Sequence, residues 1–430
     1  MLSEVKFYVV VMMKKFKQVL GVLTVFWWFC SLCLAADPLK NIPLLEIESL
    51  EYLGGFRIPA EQFGESSAGY AEGPITLGKN NDSFYMVGHA HNQAIAEFSI
   101  PELVKSLDHK RFKFAKNIQP FKQVLNRPES GNPQKMDRIG GMEYINGRLY
   151  VNTYVYYDAG GKASHTTLVI KDAANLANSD IAGYHSYSAK AHASGWISPV
   201  PKIWQKSLGG TYITGSSAGK PIINRLSVGP SAFTFNPIVN DYGAVPPSKI
   251  KLNKLLDYSL ARPLGYAGGG VSEYLHNHGR KHGMWTHIAG SAYAFIVPGT
   301  RSYMAIGSNG GGESGIGYKI NQDSGYTCGG YCPHKASDRY NYYWLFDIND
   351  MRAVRARKKN AAKVMPHAHG KLPDIYANNG FNAISGAAFD YNKNILYVSL
   401  ARGDRLQYGW VPTIVAFKID VAAAASKAGI

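Results

Sequence analysis

Between Gly140 and Asn236 the hydrophobic pattern repeats. The runs GGMEYI, RLYVNTYVYY and SHTTLVI are followed, after a spacer, by WISPVP, GGTYITG and NRLSVGPSAFTF. Each copy is three short apolar, aromatic or β-branched runs separated by Gly, Asn, Asp and Lys turns, the pattern of an antiparallel meander. The same triplet occurs upstream as GPITLG, DSFYMVGHA and AIAEFSIP. Downstream it returns as IAGSAYAFIV, RSYMAIGSNG and YYWLFDI, and again as AISGAAFD, NILYVSLARGD and TIVAFKI. Five three-stranded units are readable, and strand-like material is left over at residues 51–59, 105–130 and 250–262, where KLLDYSL reads as an outer strand. Similar meanders recurring every 45–90 residues predict an all-β fold, a β-propeller, because one such sheet cannot bury both faces and must stack radially on its neighbours. Seven blades are expected, five of them readable. A β-sandwich is the alternative, but its strands would not recur in a fixed triplet order.

The propeller reading sorts the loops. With the first strand of each blade innermost, the loops joining second to third strands open on the same face as the loops leading into the next blade. Those loops carry His89 and His91, His165, Arg225, the Gly- and Cys-rich stretch 308–340, and Arg402 with Arg405. The loops between blades add His192, Arg262 and the histidines of residues 276–287. Basic and imidazole side chains are therefore expected to collect on one face.

The N-terminus reads as an export signal, with Lys14, Lys15 and Lys17 before an apolar run from Val19 to Leu34 and a cleavage site at Leu34-Ala35-Ala36. The apolar run of 16 residues falls short of the roughly 20 that span a bilayer. Residues 1–36 are thus expected to be a signal peptide, residues 37–430 a single propeller domain, and the protein secreted or periplasmic. Removing the signal lowers the formal charge only from +16 to +13, since it carries four lysines and one glutamate. For an exported chain this basicity points to an anionic polysaccharide or envelope surface rather than nucleic acid. A monomer is expected.

Export also leaves only Cys328 and Cys332, too few for a disulfide scaffold. Cys328-Gly-Gly-Tyr-Cys332-Pro-His334 could close around one tetrahedral zinc, with His278 or His282 as fourth ligand and a structural role. A local Cys328–Cys332 disulfide is the other reading. Ser217 lies in a G-x-S-x-G match, but a strand follows it where a nucleophile elbow needs a helix. The face loops offer Glu72, Glu143, Asp158, Glu273 and Glu313 without a recognisable pair for glycoside hydrolysis. Cleavage of a uronate polymer by β-elimination needs different groups: a cation to neutralise the carboxylate, a base for the C5 proton and an acid for O4. Arg, His and Tyr match those roles, and Arg225, His165 and Tyr212 fall on adjacent hairpins.

The runs YMVGHAHNQAIAEFSIP, GGMEYINGRLYVNTYVYYD, NRLSVGPSAFTF and NYYWLFDINDM resemble blades of secreted propeller polysaccharide lyases that act on ulvan, over roughly residues 50–420. The resemblance implies a seven-bladed propeller, an active site of two histidines, a tyrosine and an arginine, and a bound metal ion. His165 then fits one histidine, with Tyr212 and Arg225 as the tyrosine and arginine. His185, twenty residues after His165, fits the second, and under that alignment Tyr242 and Arg262 become the rival pair. His89, Arg262, Tyr242 and Arg402 are the expected substrate-binding side chains. A non-catalytic glycan-binding propeller and a propeller glycoside hydrolase are the alternatives.

Overall fold

The computed structural model describes residues 37–218, 226–237, 249–372, 381–406 and 409–420. Contacts divide the chain into Met1–Ile42 and a second unit, Pro43–Ile430, which holds every strand described below. Residues 1–36, expected to be a signal peptide, lie outside the described residues, as do Arg225 and Tyr242.

Five sheets of antiparallel strands make five blades. From the innermost strand outward, blade I is Ile75–Leu77, Ser83–Val87, Ala94–Ser99 and Asn117–Gln123. Blade II is Arg138–Ile145, Arg148–Tyr154, His165–Ile170 and Ile181–Tyr187, extended by a short parallel strand, Lys249–Ile250. Ile197–Pro199, Tyr212–Thr214, Ala232–Phe235 and Asn253–Leu256 form blade III. Gly290–Ile296, Ser302–Gly310, Arg339–Asp347 and Ala368–Lys371 form blade IV. Blade V takes Ile384–Asp390, Ile395–Leu406 and Gly409–Ile419 from the C-terminal end and closes with Leu50–Arg57 from the N-terminal end. Each innermost strand touches those of the two adjacent blades, and the fifth meets the first, so the ring is complete.

The seven-blade expectation is therefore corrected to five. The leftover runs are fourth strands, not further blades. Residues 51–59 supply the closing strand of blade V, residues 105–130 the outer strand of blade I, and residues 250–262 the outer strand of blade III. A fourth strand faces the solvent with half its side chains and carries a weaker apolar signal than the three inside it; Asn117–Gln123, for instance, is mostly exposed or half-buried.

Packing between blades is specific. Phe56 of the closing strand is buried against Phe84 of blade I, ring centroids 5.6 Å apart, and Arg57 reaches Asp404 at 2.7 Å. Between blades II and III the fully buried Asn152 donates through Nδ2 to the carbonyls of Ala193 and Gly195 and to Thr214 Oγ1, and accepts from Thr167 Oγ1 at 2.9 Å. The backbones approach so closely here that a Cβ on Gly141 would lie 2.0 Å from the Gly195 carbonyl oxygen. Ser217 has a structural place: its Oγ accepts the Ser291 amide at 2.6 Å and joins blade III to blade IV.

Truncating Phe56 to Ala should cost about 3–5 kcal/mol, the usual range for a buried phenylalanine. Thermal unfolding followed by circular dichroism checks this; an unchanged midpoint would mean that the closing strand contributes little to stability.

Candidate functional site on the funnel face

Loops of blades II, IV and V and the connection into blade IV share one face. They surround a funnel of about 1380 Å³ whose wall is drawn from blade II (Tyr156, Tyr157), the connection into blade IV (Leu260, Val271, His287), the long loop of blade IV and Arg402 of blade V. Tyr157 and Tyr326 are exposed, as is Tyr318, so flat aromatic faces stand free around the opening. Arg339 and Arg402 add positive charge to the wall. Exposed tyrosines beside guanidinium groups suit a ligand with apolar ring faces and anionic substituents.

The Cys-rich loop forms part of this wall, and its two cysteines are joined to each other. The zinc set expected from Cys328, Cys332, His334 and His278 is not assembled, because a disulfide offers no thiolate to an ion. His278 instead meets Glu273 at 2.8 Å, and His334 contributes backbone hydrogen bonds to Gly315 and Asp323. Among the described residues no three His, Cys, Asp or Glu side chains form a set that could hold a metal ion. The disulfide closes a five-residue loop that presents Tyr331, which stacks on His287 with centroids 4.1 Å apart and planes 9° from parallel. His276 packs edge-on against both rings.

Glu72 lies three residues before the innermost strand of blade I, and Asp137 directly before that of blade II. Arg402 pairs with Glu72 at 3.3 Å. Asp137 accepts the Tyr156 amide at 2.8 Å, while the Arg138 guanidinium lies over the Tyr156 ring, 5.1 Å from its centroid. Burial pushes the Tyr154 hydroxyl up to about 12; Arg138 counters this, whereas Asp137 and Glu72 add to it. Two carboxylates therefore act on one phenol from adjacent blades. His89 is close by, its ring 5.4 Å from that of His91 and 6.0 Å from Tyr70.

His165 and His185 lie on neighbouring strands at the same end of blade II, with His165 opposite Ser186 and Thr167 opposite His185. His165 Nδ1 meets Ser164 Oγ at 3.0 Å, and its amide donates to Gln134 Oε1 at 2.9 Å. His185 is buried, and its Nε2 has no hydrogen-bond partner. Burial, reinforced by the neighbouring His165, holds the His185 imidazole below its ordinary pKa, so it is neutral around pH 7.

Tyr212 is not with them. It begins the second strand of blade III and pairs with Pro199 and Phe235, at the end of the blade opposite the funnel. The expectation that His165 and Tyr212 share one face is corrected accordingly: a second strand begins where the first ends, and the first runs away from the funnel. Tyr212 sits instead in the field of Glu143, which faces a pit of about 180 Å³ and accepts from Thr76 at 3.2 Å. Burial pushes the Glu143 carboxyl up to about 8 and the Tyr212 hydroxyl up to about 12. Arg262 is exposed on the loop into blade IV, beside Leu260 and Ala261 of the funnel wall. Of the remaining carboxylates, Asp158 caps its own hairpin through the Lys162 and Ala163 amides, and Glu313 pairs with Lys371.

Sequence reasoning passed over Asp137, Tyr154, Tyr156, Tyr157, Tyr318, Tyr326 and Tyr331. The density of tyrosine in YVYYD and in the Cys-Gly-Gly-Tyr-Cys loop was the available signal, since aromatic side chains on turns have no core to fill.

No family model matches this chain, and no curated protein matches it. Among solved structures, Bacteroides ovatus Xyloglucan PUL GH43B is similar at 12% identity and a TM-score of 0.36. The similarity covers 84% of this chain and 53% of that one, so it spans about half of GH43B. RRP9 WD40 repeats align at 9% identity and a TM-score of 0.31, covering 86% of this chain and 100% of theirs. Likeness this distant carries no functional weight. The molecule is a five-bladed β-propeller on the strength of its own strand pairing.

The Glu143 shift yields a pH test. Between the ordinary carboxylate range and about 8 the folded protein holds a proton that the unfolded chain releases. This group's contribution to stability is therefore whole below its unfolded pKa and is lost as pH rises through its folded pKa. Glu143→Gln, which cannot ionise, should melt with the wild type near about pH 4 and above it near about pH 8. Melting curves across that range decide it, and equal midpoints throughout would show that the pit tolerates the charge.

Proposed function

We propose that this is a carbohydrate-active propeller that binds an anionic, uronate-containing polysaccharide across the funnel face and cleaves it by β-elimination, in the manner of an ulvan lyase. The observation that carries the reading is the His165–His185 pair. His185 is neutral around pH 7, and its Nε2 is buried without a hydrogen-bond partner; a base for a C5 proton must be unprotonated. In the step, that base takes the C5 proton and the C5–H electrons form a double bond to C4. The C4–O4 bond then breaks, and an acid protonates the departing O4. His165, half-exposed and hydrogen-bonded to Ser164, is assigned to orient the uronate. Arg225 is assigned to its carboxylate, and Tyr242 with Arg262 is kept as the rival pair. Tyr212 is given no role, since its strand begins at the far end of the blade. The Cys328–Cys332 disulfide fits a secreted or periplasmic protein.

Glu72 and Asp137 favour a second reading, glycoside hydrolysis at the channel mouth, because they bring two carboxylates to Tyr154 from adjacent blades.

Digestion of ulvan and a panel of other uronate polymers separates the two. The lyase reading expects a rise in near-ultraviolet absorbance from the unsaturated uronate, whereas hydrolysis releases reducing ends without it. No absorbance rise on any uronate polymer would sink the lyase assignment. His185→Gln should lower kcat by at least about 100-fold, the contribution expected of a general base. The acid limb of the wild-type pH–rate profile should fall below the ordinary imidazole range of about 6.5. Tyr331→Ala should mainly raise KM, since its ring forms part of the wall and is remote from the histidine pair in the assignment.

A further inference from the structure

A second concave, charged surface lies on the rim of the propeller. The helix Ile348–Arg355, which follows the third strand of blade IV, packs against the outer strand of blade III. Between that strand and the turn leaving the helix runs a groove of about 920 Å³. Six cations line it: Lys251, Lys254, Arg355, Arg357, Lys358 and Lys359. Asp257 is the carboxylate in the same wall. It is already engaged by His192 at 2.6 Å and Lys254 at 2.5 Å, and Lys359 is held by Asp350 at 2.7 Å. Among the described residues no carboxylate pairs with Lys251, Arg357 or Lys358, all of which are exposed.

A helix C-terminus ordinarily attracts cations, and Arg355 fits that account, its Nε donating to the Leu208 carbonyl at 3.3 Å. The other residues do not. Lys251 comes from a different blade, and Arg357 and Lys358 lie beyond the helix end. Arg357 has φ 60°, and its amide donates to Val354 while that of Lys358 donates to Ala353. In this helix-ending motif, glycine or asparagine is the ordinary occupant of the left-handed position. A long cation stands here where the backbone favours a residue with no side chain.

We propose that this groove is a second polyanion-binding site, separate from the funnel, which takes an extended sulfated polysaccharide. The class of ligand follows from the lining. No aromatic side chain lines the groove for a nucleic acid base to stack on, and its large apolar members, Leu252 and Val354, are half-buried and buried rather than presented to a lipid surface. What remains is a row of ammonium and guanidinium groups with the Ser259 hydroxyl, which suits sulfates spaced along a hydroxylated chain.

The test measures binding of dextran sulfate and of neutral dextran over a salt series. It compares wild type, a triple variant (Lys251→Gln, Arg357→Gly, Lys358→Gln) and the funnel variant Tyr331→Ala. Wild type should bind dextran sulfate and not dextran, and the triple variant should bind about tenfold or more weakly at low salt. The log–log salt dependence should flatten by roughly two units, as expected from about 0.7 counterion per charge neutralised on a single-stranded polyanion. Arg357→Gly alone should raise the melting temperature while weakening binding, which separates loss of the site from loss of fold. Equal affinity of triple variant and wild type, or affinity lost only with Tyr331→Ala, would overturn the proposal. So would binding confined to single-stranded DNA or to phosphatidylglycerol vesicles. Absorbance assays on uronate polymers report separately on the lyase reading, so either can fail alone.

Discussion

The ring depends on one pairing between the two ends of the chain. Leu50–Arg57 lies against Gly409–Ile419 and completes a sheet whose other three strands come from the last part of the sequence. Without it, blade V would present an open edge and blade I would lose the aromatic face that Phe56 lays on Phe84. The innermost strands meet all round the ring, and at the joint between blades V and I this outer strand adds the packing of Phe56. Arg57 and His109, both held by Asp404, tie the closing strand to the loop face as well as to its sheet.

Closure also sets the two ends of each blade apart chemically. The funnel end gathers loops, and with them tyrosines, imidazoles and arginines whose conformations are fixed by local devices such as the disulfide loop and the Asp158 cap. At the opposite end burial pushes up the Tyr212 and Tyr391 hydroxyls, and the nearby Glu143 adds to both. A carboxyl kept neutral in such a pit and an imidazole buried without a partner at Nε2, as at His185, are both costs that the rest of the fold must offset.

The inner three strands of each blade were legible because both their faces are covered and their apolar runs are nearly continuous. Outer strands such as Asn117–Gln123 were not, and of the leftover runs only residues 250–262 read as an outer strand. His185 was reached only through the family resemblance, as a histidine twenty residues after His165, because its strand, Ile181–Tyr187, is a fourth strand that the pattern did not show. Tyr212 was misplaced because strand direction, not proximity in sequence, decides which end of a blade a residue occupies. Glu72 and Asp137 are sixty-five residues apart and meet only through the ring, a relation no local pattern encodes. The cysteines show a third kind of limit: two thiols four residues apart serve a metal or each other, and only the fold of the loop decides.

Asn152 has a consequence for how such a molecule can change over evolutionary time. Its amide spends three donor contacts and an acceptor on the joint between blades II and III, a lock cut for one neighbour. Copying blade II and inserting it elsewhere would bury that amide against a surface lacking the matching carbonyls. Growth of the ring by duplication is therefore penalised at this joint, and the number of blades is held by individual side chains as well as by the curvature of the sheets.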